Sequence, residues 1–297
     1  MALRYWAMIV GLGLIWGTSF AANAVLLREI GPLTVSFARI GFGAAFVLVF
    51  MAATRHSMRV TRKQAFQLFL LGAANFAIPF AVYPIAQGEL ASGIAGIMNG
   101  LTPVAVVLIS HMWPGGDKAT PSNMLGGGFG FLGIYLISKP SMSVGETSEL
   151  WAMVVILLAP ISYGVSLNIM RMIHGVDPFV KVAYSLSFAT VMLIPFAIGF
   201  EGIPHMVRIE SWLWLVWVGF IGTGFSFIVL YWLVPRVGGT NMSTATFVAP
   251  VTAILLGVSF LNERLETAHI LGIFAIFVGM VVIDGRVLAY FGRKDAG

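Results

Sequence analysis

The 297-residue chain contains no cysteine, which excludes disulfide bonds and thiolate chemistry. Charge is scarce as well: Asp, Glu, Lys and Arg make up 10% of the residues, where soluble domains carry roughly 25%. There is no His-Glu-x-x-His metal motif and no phosphate-binding glycine loop. Gly164-Val165-Ser166 and Gly17-Thr18-Ser19 each show only part of a Gly-x-Ser-x-Gly nucleophile turn. No metal and no cofactor is therefore expected. No Asp or Glu falls at the centre of an apolar run, so the buried carboxylate relay common in proton-driven carriers is missing. An intramembrane enzyme would need a deep acidic or nucleophile–base pair, and neither is visible.

What the chain has instead is apolar length. Hydrophobic residues make up 59% of it and the mean hydropathy is +0.94. Charges cluster between apolar runs of about 20 residues, the length that spans a hydrocarbon core of about 30 Å. Ten such runs are predicted, at 5–27, 33–53, 65–85, 91–112, 123–137, 150–170, 179–200, 212–234, 242–261 and 268–283. Connections this short leave no room for a soluble catalytic domain. The first run is too long for a signal-peptide core and reads as a retained helix. The fifth is the least helical because Gly126, Gly127 and Gly128 lower its propensity. Continuous apolarity without alternation argues against a β-barrel.

The net charge of +5 and pI near 9.7 are assigned to one membrane face rather than to nucleic acid. With the N-terminus inside, twelve of the 17 Lys and Arg residues fall in cytoplasmic segments and four in outside loops. Arg39 alone lies within a span. This bias predicts a multi-pass membrane protein with both termini cytoplasmic.

Self-comparison reveals a repeat. Leu101-Thr102-Pro103-Val104 corresponds to Val248-Ala249-Pro250-Val251 at an offset of 147 residues, and Trp16-Gly17 with Ser19 to Tyr163-Gly164 with Ser166 at the same offset. Leu125-Gly126 and Gly133 correspond to Leu271-Gly272 and Gly279 at 146. Two units follow, 1–145 and 146–297, each with five helices. An odd number of crossings makes the second unit enter from the opposite side. The fold predicted is an all-α membrane protein of ten transmembrane helices in two inverted five-helix repeats, an architecture that places substrate near the midplane.

Several motifs then add a resemblance. Ile15-Trp16-Gly17-Thr18-Ser19-Phe20, Phe37-Ala38-Arg39, Ala249-Pro250-Val251, Leu261-Asn262-Glu263-Arg264-Leu265 and Leu271-Gly272 resemble the drug/metabolite transporter superfamily, in particular its ten-helix EamA type. Within that type the chain looks most like a bacterial aromatic amino-acid exporter. One departure stands out: where the first repeat often ends its fourth helix with a Gly-Glu like Asn262-Glu263, this chain has His111-Met112-Trp113-Pro114.

Candidate transport residues are those whose polarity is costly in lipid. Trp16, Ser19, Asn75, Tyr83, Asn99, Tyr163, Asn168, Tyr231 and Thr246 could form a neutral substrate pocket, although interhelical hydrogen bonds would explain each one alone. Arg39 has two readings, a structural or gating residue paired with Glu263 or a contact to a substrate carboxylate. Pro103 and Pro250 hold equivalent places and predict symmetric bends in the fourth and ninth helices, and Pro160 a bend in the sixth. His111 is the only histidine expected to be embedded. Taken with the resemblance, these features imply an exporter of small metabolites, amino acids with aromatic or large apolar side chains, at a bacterial inner membrane, working by alternating access and facilitated diffusion. Proton coupling is the alternative and a channel the more distant one. The expected partners are a small-molecule substrate and the lipid bilayer, with no nucleic acid, and a monomer suffices.

Overall fold

The structure, a computed structural model, describes residues 2–144, 147–237, 242 and 245–284. Residues 243–244 of the predicted ninth span and the basic residues after 284 lie outside that set. Among the described residues ten membrane helices run in order: α1 (Leu3–Leu26), α2 (Pro32–Ala53), α3 (Arg62–Gln87), α4 (Ser92–Met112), α5 (Pro121–Val144), α6 (Thr147–Met172), α7 (Pro178–Glu201), α8 (Ile209–Val234), α9 (Ala245–Phe260) and α10 (Thr267–Asp284). There is no strand among the described residues. Seven of the ten are long and apolar enough to cross a membrane by those criteria alone, namely α1 to α4 and α6 to α8. The fifth helix is longer than its apolar run suggested, 24 residues beginning at Pro121, because its glycines pack against another helix rather than ending it.

Packing follows the repeat. Helix α1 lies on α9 and α6 on α4; α2 lies on α8 and α7 on α3; α2 and α7, α4 and α9, and α5 and α10 meet across the middle. This is the pattern produced by a two-fold axis that exchanges the first five helices with the last five. At the α5–α10 crossing the relation holds residue by residue. A Cβ on Gly133 would lie 2.8 Å from the Gly272 carbonyl, and one on Gly272 would lie 2.7 Å from the Gly133 carbonyl. Gly126 and Gly279 repeat the arrangement at 2.6 and 2.5 Å. In lipid there is little hydrophobic drive between helices, so close backbone approach supplies the dispersion contacts that hold them together.

The regular backbone is interrupted where the chain nears the centre. Both α3 and α8 contain a π segment, Ala73–Ala77 and Trp217–Phe225, and the 147-residue offset places the first within the second. Helix α4 breaks at Gly100 and Leu101, ahead of Pro103, and the carbonyl of Asn99 that Pro103 cannot bond accepts from Thr102 Oγ1 at 2.7 Å. Pro84 likewise frees the Phe80 carbonyl, which accepts from Ser36 Oγ of α2 at 2.7 Å. Helix α6 turns at Leu157, before Pro160. At the equivalent Pro250 the helix is not interrupted: α9 runs as continuous helix from Ala245 to Phe260. The position equivalent to Gly100 there is Phe247, so the local glycine that concentrates the break in α4 has no counterpart.

The two repeats close against each other at one end. Near the 88–91 connection the first segment of α4 rests on α9, with Gly93 and Gly96 against Ile254 and Ala253. At the end that holds the N-terminus, the second segment of α4 packs on α6 instead. Gly272→Val should force the α5–α10 crossing apart and destabilise the protein by about 1–3 kcal/mol. Thermal unfolding in detergent reads this, and a variant as stable as the parent would show that the crossing does not hold the halves together.

Candidate functional site

Two buried apolar clusters flank the molecular centre, one around Phe20, Tyr83, Met98 and Ile276 and the other around Phe76, Phe80, Leu186 and Phe227, and Tyr163 packs against both. A cavity of about 210 Å³ lies where they meet. Its walls come from seven helices of both repeats: Trp16, Ser19, Phe20 and Asn23 of α1, Arg39 of α2, Asn75, Phe80 and Tyr83 of α3, Asn99 and Thr102 of α4, Tyr163 of α6, Phe227 and Leu230 of α8, and Thr246 of α9. The spacing in α1 is that of one helix face, at i, i+3, i+4 and i+7. In α3 the π segment widens the interval between Asn75 and Phe80 to five residues while keeping both on the cavity.

Polar groups in the wall are held by neighbours. Tyr83 donates its hydroxyl to Asn99 Oδ1 at 2.5 Å, and Asn75 Oδ1 accepts from Ser166 Oγ at 3.0 Å. Asn23 donates to Gln87 Oε1 at 2.9 Å, and Gln87 in turn donates to the Phe20 carbonyl at 2.8 Å, which ties α1 to the top of α3. The indole nitrogen of Trp16 and Oδ1 of Asn23 are buried and have no protein partner among the described residues. Arg39 is 7% exposed. Its Nε donates to Thr223 Oγ1 at 3.1 Å, its Nη2 donates to Ser19 Oγ at 3.0 Å, and its guanidinium sits 4.2 Å from the centre of the Phe80 ring. No acidic side chain lines the cavity among the described residues.

Of the nine residues proposed from sequence as a pocket, the structure brings together Trp16, Ser19, Asn75, Tyr83, Asn99, Tyr163 and Thr246. Asn168 and Tyr231 stand apart. Asn168 Nδ2 donates to the Gly164 carbonyl at 2.9 Å and to Ser110 Oγ at 3.1 Å, fastening α6 to α4, and the Tyr231 hydroxyl reaches Met170 Sδ at 3.8 Å within the second apolar cluster. Sequence reasoning missed Phe20, Asn23, Phe80, Thr102, Phe227 and Leu230. Asn23 carried a usable signal, two turns beyond Trp16 on the same face; one phenylalanine among 23 carries none.

Glu263 does not pair with Arg39. Asn262, with φ +57°, closes α9 in the left-handed conformation and turns Glu263 back across the interface. Its carboxylate accepts from the backbone N–H of Ser92 at 2.6 Å and Gly93 at 2.9 Å, capping α4 from the other repeat. The first repeat keeps the same turn with Gly115 at φ +73°, but Gly116 stands where the carboxylate would be. Glu201 caps α2 in the same way, accepting from Leu33 and Thr34 N–H at 2.9 and 2.8 Å. His111 is exposed and accepts from the Ala119 N–H; the buried histidine is His269, 6% exposed at the start of α10.

Two inverted five-helix repeats around a polar-and-aromatic cavity define a membrane transporter. Comparison with known proteins agrees: the model of the EamA-like transporter family matches residues 4–139 and again 150–284, and the chain belongs to that family. The uncharacterized transporter YoaV of Bacillus subtilis is 24% identical over 92% of this chain and 94% of its own. Protein PecM of Dickeya dadantii is 22% identical over 94% and 91%, and the uncharacterized inner membrane transporter YedA of Escherichia coli 20% over 95% and 90%. A crystal structure with 18% identity superposes at a TM-score of 0.70 over 97% of the chain and 99% of its own, which establishes the same fold.

Asn168→Ala should lower stability by about 0.6–2 kcal/mol, the range for interhelical hydrogen bonds in membranes, and leave substrate selectivity unchanged. Thermal unfolding paired with a substrate-competition series checks both. A changed selectivity at unchanged stability would return Asn168 to the pocket.

Proposed function

We propose that the protein exports small metabolites, amino acids with aromatic or large apolar side chains, across a bacterial inner membrane by alternating access. The observation that carries this reading is the composition of the cavity. Amide and hydroxyl groups of Asn23, Asn75, Asn99, Tyr83 and Tyr163 stand beside one guanidinium, and Trp16, Phe20, Phe80, Phe227 and Leu230 supply a wall for an apolar side chain. The volume of about 210 Å³ lies below the roughly 300–1,000 Å³ of drug-sized ligand sites and suits a single small metabolite. Trp16, Ser19, Asn75, Tyr83, Asn99, Tyr163 and Thr246 are its substrate-binding set; Pro103, Pro160, Pro250 and Glu263 shape the moving helices.

Charge placement puts both termini in the cytoplasm. On that reading the end at which α4 leaves α9 is the cytoplasmic one, and we read this conformation as one closed to the outside. Without a carboxylate among the described cavity residues, transport runs down the substrate gradient and requires no imposed pH difference. In proteoliposomes containing only this protein, labelled phenylalanine should show saturable counterflow at equal internal and external pH. Tyr163→Ala should reduce that flux about tenfold or more while the thermal transition is kept, since a lost ring contact in a small pocket is worth well over a kcal/mol. Flux only under an imposed proton gradient would reject uniport, and non-saturating flux would indicate a channel.

A further inference from the structure

Among the described residues that line the cavity, one carries charge, and it is a cation. Arg39 is 7% exposed, yet neither of its hydrogen-bond partners among the described residues is acidic: Thr223 and Ser19 offer neutral hydroxyls. A guanidinium has five N–H donors in a rigid plane. Here the Nε and Nη2 atoms each give one hydrogen bond to protein, at 3.1 and 3.0 Å, and Phe80 covers one face at 4.2 Å. The three remaining donors, two on Nη1 and one on Nη2, have no protein acceptor among the described residues. They form the fork that accepts a carboxylate through two parallel hydrogen bonds. The indole N–H of Trp16, buried and unpartnered in the same wall, offers a further donor.

We infer that Arg39 is the receptor for a substrate carboxylate and that the cavity recognises organic monocarboxylates, the α-ammonium of an amino acid being dispensable. The inference rests on the transport reading above and narrows it. The charge balance decides between substrate classes. A monocarboxylate brings the loaded cavity to neutrality; a zwitterion leaves it at one positive charge, and a cationic amine raises it to two. Around a guanidinium only 7% exposed an uncompensated charge is expensive, so the neutral complex is the favoured one. An ammonium would find only neutral acceptors. Of the amide oxygens, Asn99 Oδ1 already accepts from Tyr83 at 2.5 Å and Asn75 Oδ1 from Ser166 at 3.0 Å, and Asn23 Oδ1 alone has no protein donor among the described residues. A side chain's apolar body has Phe80, Phe227 and Leu230 to lie on, whichever head group precedes it.

The test uses three compounds that differ only at the head group: L-phenylalanine, 3-phenylpropanoate, which lacks the ammonium, and 2-phenylethylamine, which lacks the carboxylate. Calorimetric titration of the purified protein should give 3-phenylpropanoate an affinity at least equal to that of phenylalanine. The amine should bind at least about tenfold more weakly than either, the factor a charge-assisted hydrogen bond carries. Arg39→Gln should lose that preference for the carboxylates and Arg39→Lys should retain part of it, each compared with the parent by thermal unfolding. The measurements on the unaltered protein decide the matter even if neither variant folds. Amine binding as tight as that of phenylalanine, or 3-phenylpropanoate binding about tenfold weaker than phenylalanine, overturns the inference; so does an unchanged preference in folded Arg39→Gln. Phenylalanine counterflow alongside either overturning order would leave the export reading in place and remove only this inference. Tight 3-phenylpropanoate binding without any phenylalanine counterflow would do the reverse, supporting the monocarboxylate site and removing amino-acid export.

Discussion

A positive charge held inside a bilayer without a carboxylate beside it constrains everything around it. Arg39 lies in the second helix, about two turns from its start, and water cannot solvate it there as it would at a surface. The fold answers with a hydroxyl from each repeat, Ser19 and Thr223, and with the face of Phe80. Thr223 sits in the π segment of α8, where its own hydroxyl reaches the Val218 carbonyl five residues back at 2.9 Å. The bulge, the close approach of Gly219 and Gly43 between α2 and α8, and the position of the guanidinium are therefore one arrangement. Arg39 thus bridges the repeats, which gives it a structural duty and places it in the cavity at the same time.

The same scarcity of water governs the helix ends. Glu201 and Glu263, both from the second repeat, satisfy orphan N–H groups at the starts of α2 and α4 in the first. Glu29 answers from the first repeat by accepting from Val207 and Arg208 N–H at 3.3 and 3.1 Å. All three caps lie at the end where the repeats are closed. At the other end, Gly116 replaces the carboxylate that symmetry would supply for α9. The repeats are thus alike in backbone and unlike in how firmly each end is tied.

Much of this was legible in the sequence, for reasons that are local. Apolar length gave ten helices and an offset near 147 gave the inverted repeat; Gly126, Gly133, Gly272 and Gly279 entered only as anchors of that repeat, and their crossing of α5 on α10 is visible only in the structure. Seven cavity residues were found because a polar or amphipathic group deep in a span is conspicuous. The errors came from tertiary facts that no single helix records. Asn168 and Tyr231 are as conspicuous as Asn75, but they point at Ser110 and Met170 instead. Phe80, Phe227 and Leu230 look like every other apolar residue. The pairing of Arg39 with Glu263 failed because Asn262 reverses the chain, a backbone detail that charge counting does not register. Equivalent prolines did not interrupt both helices, since Gly100 precedes one and Phe247 stands at the matching place before the other.

The proposed transport site is the cavity between the repeats, open in this conformation toward the end holding the N-terminus. The absence of native cysteine allows a direct measurement. Single cysteines at Thr246 and, at the capped end, Arg28 can be labelled with a membrane-impermeant thiol reagent applied from each side of oriented vesicles. Thr246→Cys should react from the cytoplasmic side, be protected by saturating transported substrate, and be shielded from the outside; Arg28→Cys should react from the outside regardless of substrate. Reaction of Thr246→Cys from either side without any protection by a substrate that the same protein carries would contradict the claim.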